Sequence, residues 1–60
     1  MTYKDWTKQD GENDCKVDYT LLGRVVCEHE IISQIKWGAA ETEYAKGYRQ
    51  KFYELFATPT

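Results

Sequence analysis

Seven side chains able to do chemistry fall within one stretch of this sequence: Asp14, Cys15, Asp18, Cys27, Glu28, His29 and Glu30. Thiolates, imidazoles and carboxylates are the usual zinc ligands, but a structural site takes four Cys or His residues at paired spacing such as C-x2-C. Here two cysteines stand eleven residues apart and a single histidine accompanies them. On a helix Cys27 and His29 point about 160° apart, whereas on a strand they share a face. A shared ion therefore belongs only to a strand reading, and neither a metal nor a cofactor is expected.

The same residues could be read as a nucleophile with its base. His29 would activate Cys27 or Ser33, oriented by Glu30 or Asp18, yet no spacing here specifies such a triad. A chain of 60 residues also leaves little depth for a substrate pocket of about 300 Å³ or more. The expectation is a protein that is not an enzyme.

Two other groups of residues offer binding chemistry. Arg24, Lys36, Lys46, Arg49, Gln50 and Tyr53 include base readers and a ring that can stack on an unpaired base. Glu43 and Glu54 border that set, so a solvated surface with local charge pairing competes with nucleic-acid binding. The aromatic group is larger: Trp6, Trp37, Tyr44, Tyr48, Phe52, Tyr53 and Phe56 exceed what one small core readily absorbs. Trp6, Trp37, Tyr44, Tyr48, Phe52 and Phe56 are the candidates for a protein interface, because aromatics bury a large area and keep polar handles.

The elements that must position these residues are constrained by size. A chain this short buries only about 60% of the surface its unfolded form exposes, so it closes one small core and needs a further source of stability. An apolar share of 42%, with two Trp, five Tyr and two Phe, argues against wholesale disorder. Eight basic against ten acidic residues give a formal charge of -2, which excludes a global positive field for nucleic acid. No apolar run is long enough to span a membrane and the opening residues lack a secretory signal. Two cysteines are too few for a disulfide-built scaffold, and reduced thiols in a cytoplasmic protein are expected.

Along the chain, residues 1–16 read as an irregular or disordered arm, broken most sharply at Asp10-Gly11, with Tyr3 and Trp6 either folding back to cap the core or carrying the arm onto a partner. Residues 17–60 read as one small domain. Leu21, Leu22, Val25, Val26, Ile32 and Ile35 recur at helical spacing, predicting a helix over about 19–36 with Asp18 as N-cap and Gly38 as terminator. The alternation of Val17, Tyr19 and Leu21, then Val25, Cys27, His29 and Ile31, around Gly23-Arg24 also permits a β-hairpin. A second helix over about 39–57 is clearer. Ala40, Tyr44, Tyr48 and Phe52 step by four, Leu55 and Phe56 join their face, and Pro59 follows the end. Gly47 weakens that helix by about 1 kcal/mol but allows another helix to approach closely.

The fold expected is all-α: an antiparallel helical hairpin turning at Trp37-Gly38, its aromatic stripe on the Leu21 to Ile35 segment, and two such hairpins pairing into a four-helix dimer. The alternative is a β-hairpin packed on one C-terminal helix. The function expected is that of a small accessory or regulatory protein acting by protein-protein interaction, a style at home in bacteria and phages. Its partners would be a second copy and another protein, with no membrane. A small DNA- or RNA-binding regulator using the outer face of the C-terminal helix is the alternative.

Overall fold

The chain is described over residues 6–57 by a computed structural model, and those residues are all-helical, with no strand among them. Three helices follow one another: α1 (Lys8–Leu21), α2 (Arg24–Lys36) and α3 (Glu43–Ala57). The β-hairpin alternative is therefore not supported. Tyr3 and Pro59 lie outside the described residues.

The first helix occupies most of the stretch read as an irregular arm. Its start is fixed by a capping box: the backbone N–H of Asp10 donates to Thr7 Oγ1 at 3.1 Å, and the Thr7 N–H donates back to Asp10 Oδ2 at 2.9 Å. Asp10 belongs to the cap and Gly11 lies within the first turns, so the dipeptide that looked like a break is part of a helix start. What Gly11 gives up in helix propensity it returns in packing, as its place against α3 makes plain.

The single helix expected over 19–36 is instead two, parted at Gly23. The N–H groups of Leu22 and Gly23 both donate to the Asp18 carbonyl, at 2.8 and 3.0 Å, closing α1. Gly23 then takes φ 97°, a left-handed value that only glycine adopts freely, and becomes the N-cap residue of α2. Asp18, expected as an N-cap, lies inside α1. The expected terminator Gly38 is in place at φ 72°, with its N–H donating to Ile35 O and that of Ala39 donating to Gln34 O at 2.7 Å. This is a Schellman ending. Thr42 then opens α3, its Oγ1 accepting from the Ala45 N–H at 3.2 Å and donating to Ala39 O at 2.8 Å. The third helix thus starts four residues later than the spacing alone predicts.

The core joins α1 and α3 rather than a hairpin pair. Trp6 meets Tyr44 edge-on at 4.7 Å and Tyr19 meets Phe52 at 6.2 Å, so the two helices run in the same sense, and α2 runs back alongside the pair. The aromatic stripe packs on α1, not chiefly on the Leu21 to Ile35 segment. Two glycines set the closeness of the crossing. A Cβ on Gly11 would lie inside the Tyr44 carbonyl and 2.8 Å from the Tyr48 nitrogen, and one on Gly47 would lie inside the Lys8 carbonyl. The approach of another helix expected at Gly47 is present, and α1 answers it with a glycine of its own.

Cys15, Cys27, Tyr44, Tyr48 and Phe52 form the buried cluster, with Trp6, Tyr19 and Ile31 against it. The second helix contributes little to this core. Its inward side carries Cys27 and Gln34, with Ile31 half-buried, leaving Val25, Val26, Ile32 and Ile35 exposed. The residues expected to form an inward face of one long helix thus point outward. The kink at Gly23 resets the helical phase, and the inward side of α2 becomes the line of Cys27, Ile31 and Gln34.

Candidate functional site

Two features emerge from this arrangement: a buried cluster of thiols and hydroxyls where the three helices meet, and an apolar outer surface. The cluster is built from α1 and α3 at matching turns. Asp14 and Asp18 stand one turn apart on α1, and Tyr44 and Tyr48 one turn apart on α3. Tyr44 donates its hydroxyl to Asp14 Oδ2 at 2.6 Å and Tyr48 donates to Asp18 Oδ2 at 2.7 Å. Cys15 lies between the two aspartates, and Cys27 reaches it from α2, its thiol donating to the Cys15 carbonyl at 3.9 Å.

Burial dominates the electrostatics there. The Cys15 thiol is pushed up to about 12, first because its thiolate would be desolvated and then because Cys27 and Asp18 stand beside it. The Tyr48 hydroxyl is held far above the ordinary phenol range by burial, by its bond to Asp18 and by the neighbouring Cys27 thiol. Both groups therefore hold their protons at neutral pH. The arrangement locks the helices together.

The candidate metal and triad residues scatter. Cys27 is enclosed while His29 is exposed two residues further along the same helix, so the helix turns them apart. Asp18, one of the two carboxylates expected to orient the imidazole, accepts instead from Tyr48, and Glu28 of the metal candidates pairs with Arg24 at 3.2 Å. Among the described residues no group of three His, Cys, Asp or Glu side chains could hold a metal ion.

The cationic candidates are engaged locally. Arg24, at the start of α2, pairs with Glu28 and lies over the Phe56 ring at 5.3 Å, while Lys36, at the other end, lies over Trp37 at 5.8 Å. Lys46 is 3.9 Å from Glu43, and Arg49 turns inward to donate to the Ala40 carbonyl at 2.8 Å. Gln50 and Tyr53 are exposed on α3. Arg24 and Lys36 thus lie a whole helix apart, and Arg49 ties down the connection into α3.

Of the aromatic candidates, Tyr44, Tyr48 and Phe52 are core residues and Trp6 is half-buried on Tyr44. Trp37 and Phe56 face solvent, Trp37 with 77% of its surface accessible. The apolar residues missed as surface are Val17, Leu21, Leu22, Val25, Val26, Ile32 and Ile35. Val17 and Leu21, with Asn13, Lys16 and Thr20, line a shallow open groove of about 470 Å³ on the outer side of α1. The turn at Gly23 carries that apolar character from Leu21 and Leu22 into Val25 and Val26. The signal available in the sequence was Gly23 itself, since a positive φ there rotates everything after it. No helix of the described residues is long and apolar enough to cross a membrane. Compared with known proteins, the chain matches no family model, no curated protein and no solved structure.

Proposed function

We propose that this chain is a small non-enzymatic accessory or regulatory protein that works by protein-protein contact, pairing with a second copy of itself and presenting the pair to another protein. One observation carries the reading: large apolar side chains line the outside of the α1–α2 turn and of α2, with Leu21 at 74% exposure and Leu22, Val25, Ile32 and Ile35 each more than half exposed. Scattered single hydrophobes are normal on a protein surface, but a run of them on adjoining elements marks a contact region. Val25, Ile32 and Ile35 recur at seven and three residues along α2, the spacing with which one helix lies against another. The economy of so small a core points the same way, because a second copy would supply the apolar cover that α2 lacks. Pairing of two three-helix units thus replaces the expected pairing of two hairpins.

Sedimentation of the full chain tests this. Pairing predicts a concentration-dependent dimer that Ile32→Lys shifts to monomer with the helical content kept, and a chain still monomeric at high micromolar concentration would sink the self-association.

A further inference from the structure

The two cysteines come from different helices and meet in the core. Each has 0% of its surface accessible. The Cys27 thiol donates to the Cys15 carbonyl at 3.9 Å, which sets the two residues side by side in the buried cluster. A buried free cysteine on its own is an ordinary small hydrophobe. Here two buried thiols share one cluster across the Gly23 turn, at the one place among the described residues where α2 enters the core with a fully buried apolar side chain.

We infer that Cys15 and Cys27 are a paired dithiol which a small-molecule disulfide, such as oxidised glutathione, closes into an intramolecular Cys15–Cys27 bond that fastens α2 to α1.

The chemistry balances as two thiol–disulfide exchanges. With α2 swung out, the Cys27 thiol gives up its proton and the thiolate attacks one sulfur of glutathione disulfide. A mixed disulfide forms and the first glutathione leaves as thiolate. The Cys15 thiolate then attacks the Cys27 sulfur of that mixed disulfide, forming the internal bond and releasing the second glutathione. Two cysteine thiols are oxidised, one glutathione disulfide is reduced to two thiols, and the two cysteine protons end on the departing glutathiones. In the closed state burial keeps Cys15 protonated and shuts out the oxidant, so the reaction passes through the open state. The thin packing of α2, with Val25, Val26, Ile32 and Ile35 outside the core, makes that opening accessible. Once formed, the bond closes the loop from 15 to 27 and removes the motion by which it was made. It fixes α2, and with it the outer apolar side of that helix, against the rest of the molecule.

The test is an equilibrium of the full chain in glutathione buffers of graded ratio, read by alkylation and mass spectrometry, once in native buffer and once in concentrated urea. A fold that brings the thiols together favours the internal bond over the unfolded chain by on the order of 100-fold, the effect of closing a loop of this size. The oxidised native chain should weigh two hydrogens less than the reduced one, give a peptide joining Cys15 to Cys27, and keep its helical circular dichroism. Cys15→Ser and Cys27→Ser should each yield mixed disulfides with glutathione in place of the internal bond. An equilibrium no more favourable in native buffer than in urea would overturn the inference, as would crosslinks found only between chains, or an oxidised chain that has lost its helices. The comparison of native with unfolded chain uses the unaltered protein, so it decides the matter even if a serine variant does not fold. It is also independent of whether the protein dimerises, since the internal bond is mapped within one chain.

Discussion

Tyr48 on α3 donates its hydroxyl to Asp18 on α1 at 2.7 Å, thirty residues away in sequence, and Tyr44 repeats the relation with Asp14 one turn earlier. These paired rungs fix both the distance and the register of the two helices, because a slip of one residue would break both. Tyr48→Phe removes a hydrogen bond to a charged acceptor and should lower unfolding stability by about 1.5 kcal/mol in a urea titration. A cycle with Asp18→Ala should show the two changes to be coupled by about 1 kcal/mol. Strict additivity would mean the bond is not felt in solution.

The glycine crossing makes a stronger prediction. On an isolated helix Gly11→Ala and Gly47→Ala would each gain about 1 kcal/mol. Here each new methyl meets backbone of the facing helix, which cannot rotate away, so each variant should instead lose more than about 2 kcal/mol. The double variant should cost less than the sum, since the helices are already forced apart after the first. Urea midpoints at unchanged slope would measure all three, and a stabilised single alanine variant would refute the close crossing.

Alkali should unfold the protein early. The Cys15 thiol titrates near 12 in the folded chain but near 9 when unfolded, and Tyr48 is displaced in the same upward sense. Between those limits the unfolded chain has lost protons that the native chain still holds. Stability is therefore fully present below about pH 9 and declines as the pH rises toward 12, by about 1.4 kcal/mol per pH unit for Cys15, with Tyr48 adding to the fall only above about pH 10. Thermal melts from pH 7 to 11 should show the fall, and Cys15→Ala should make it shallower. A flat profile would contradict the burial of the thiol.

Gln34 offers a gain. Only 1% of it is exposed, and its amide nitrogen and oxygen have no hydrogen-bond partner among the described residues. Burying an unmatched amide costs about 1 to 3 kcal/mol, so Gln34→Met, similar in shape and apolar, should raise the melting temperature. A lower one would show that the amide is satisfied in solution.

Much of α3 was legible because its signal is redundant. Tyr44, Tyr48 and Phe52 repeat at one helical turn and Gly38 closes the helix before it, but the Thr42 cap that sets its start was not read, so the start was placed four residues early. The start of α1 was hidden for the opposite reason. Asp10-Gly11 carries a strong local turn signal, and what outweighs it is a reciprocal bond to Thr7 and a contact with Tyr44 more than thirty residues away. Gly23 was visible as a turn residue, but the good helix formers around it support a helix through it as well as a break. Its left-handed backbone decides the matter, and with it which side of α2 faces out. For the site, the aromatic residues were found, but their division into core and surface was not, since that depends on the α1–α3 contact, which no local pattern carries. Asp14 and Asp18 likewise looked like ligands until Tyr44 and Tyr48 stood opposite them.

The meeting of α1 with α3 also bears on how the chain acquires its shape. The tightest interface in the molecule joins segments some thirty residues apart, while the helix between them is the most loosely held. During synthesis α1 and α2 emerge first with almost nothing to bury against each other. The Gly11 surface stays open until the chain beyond Phe52 has left the ribosome. Closing so long a loop precedes most of the favourable contacts, so folding should be slower than the helical content suggests. It should proceed as a single late event rather than helix by helix.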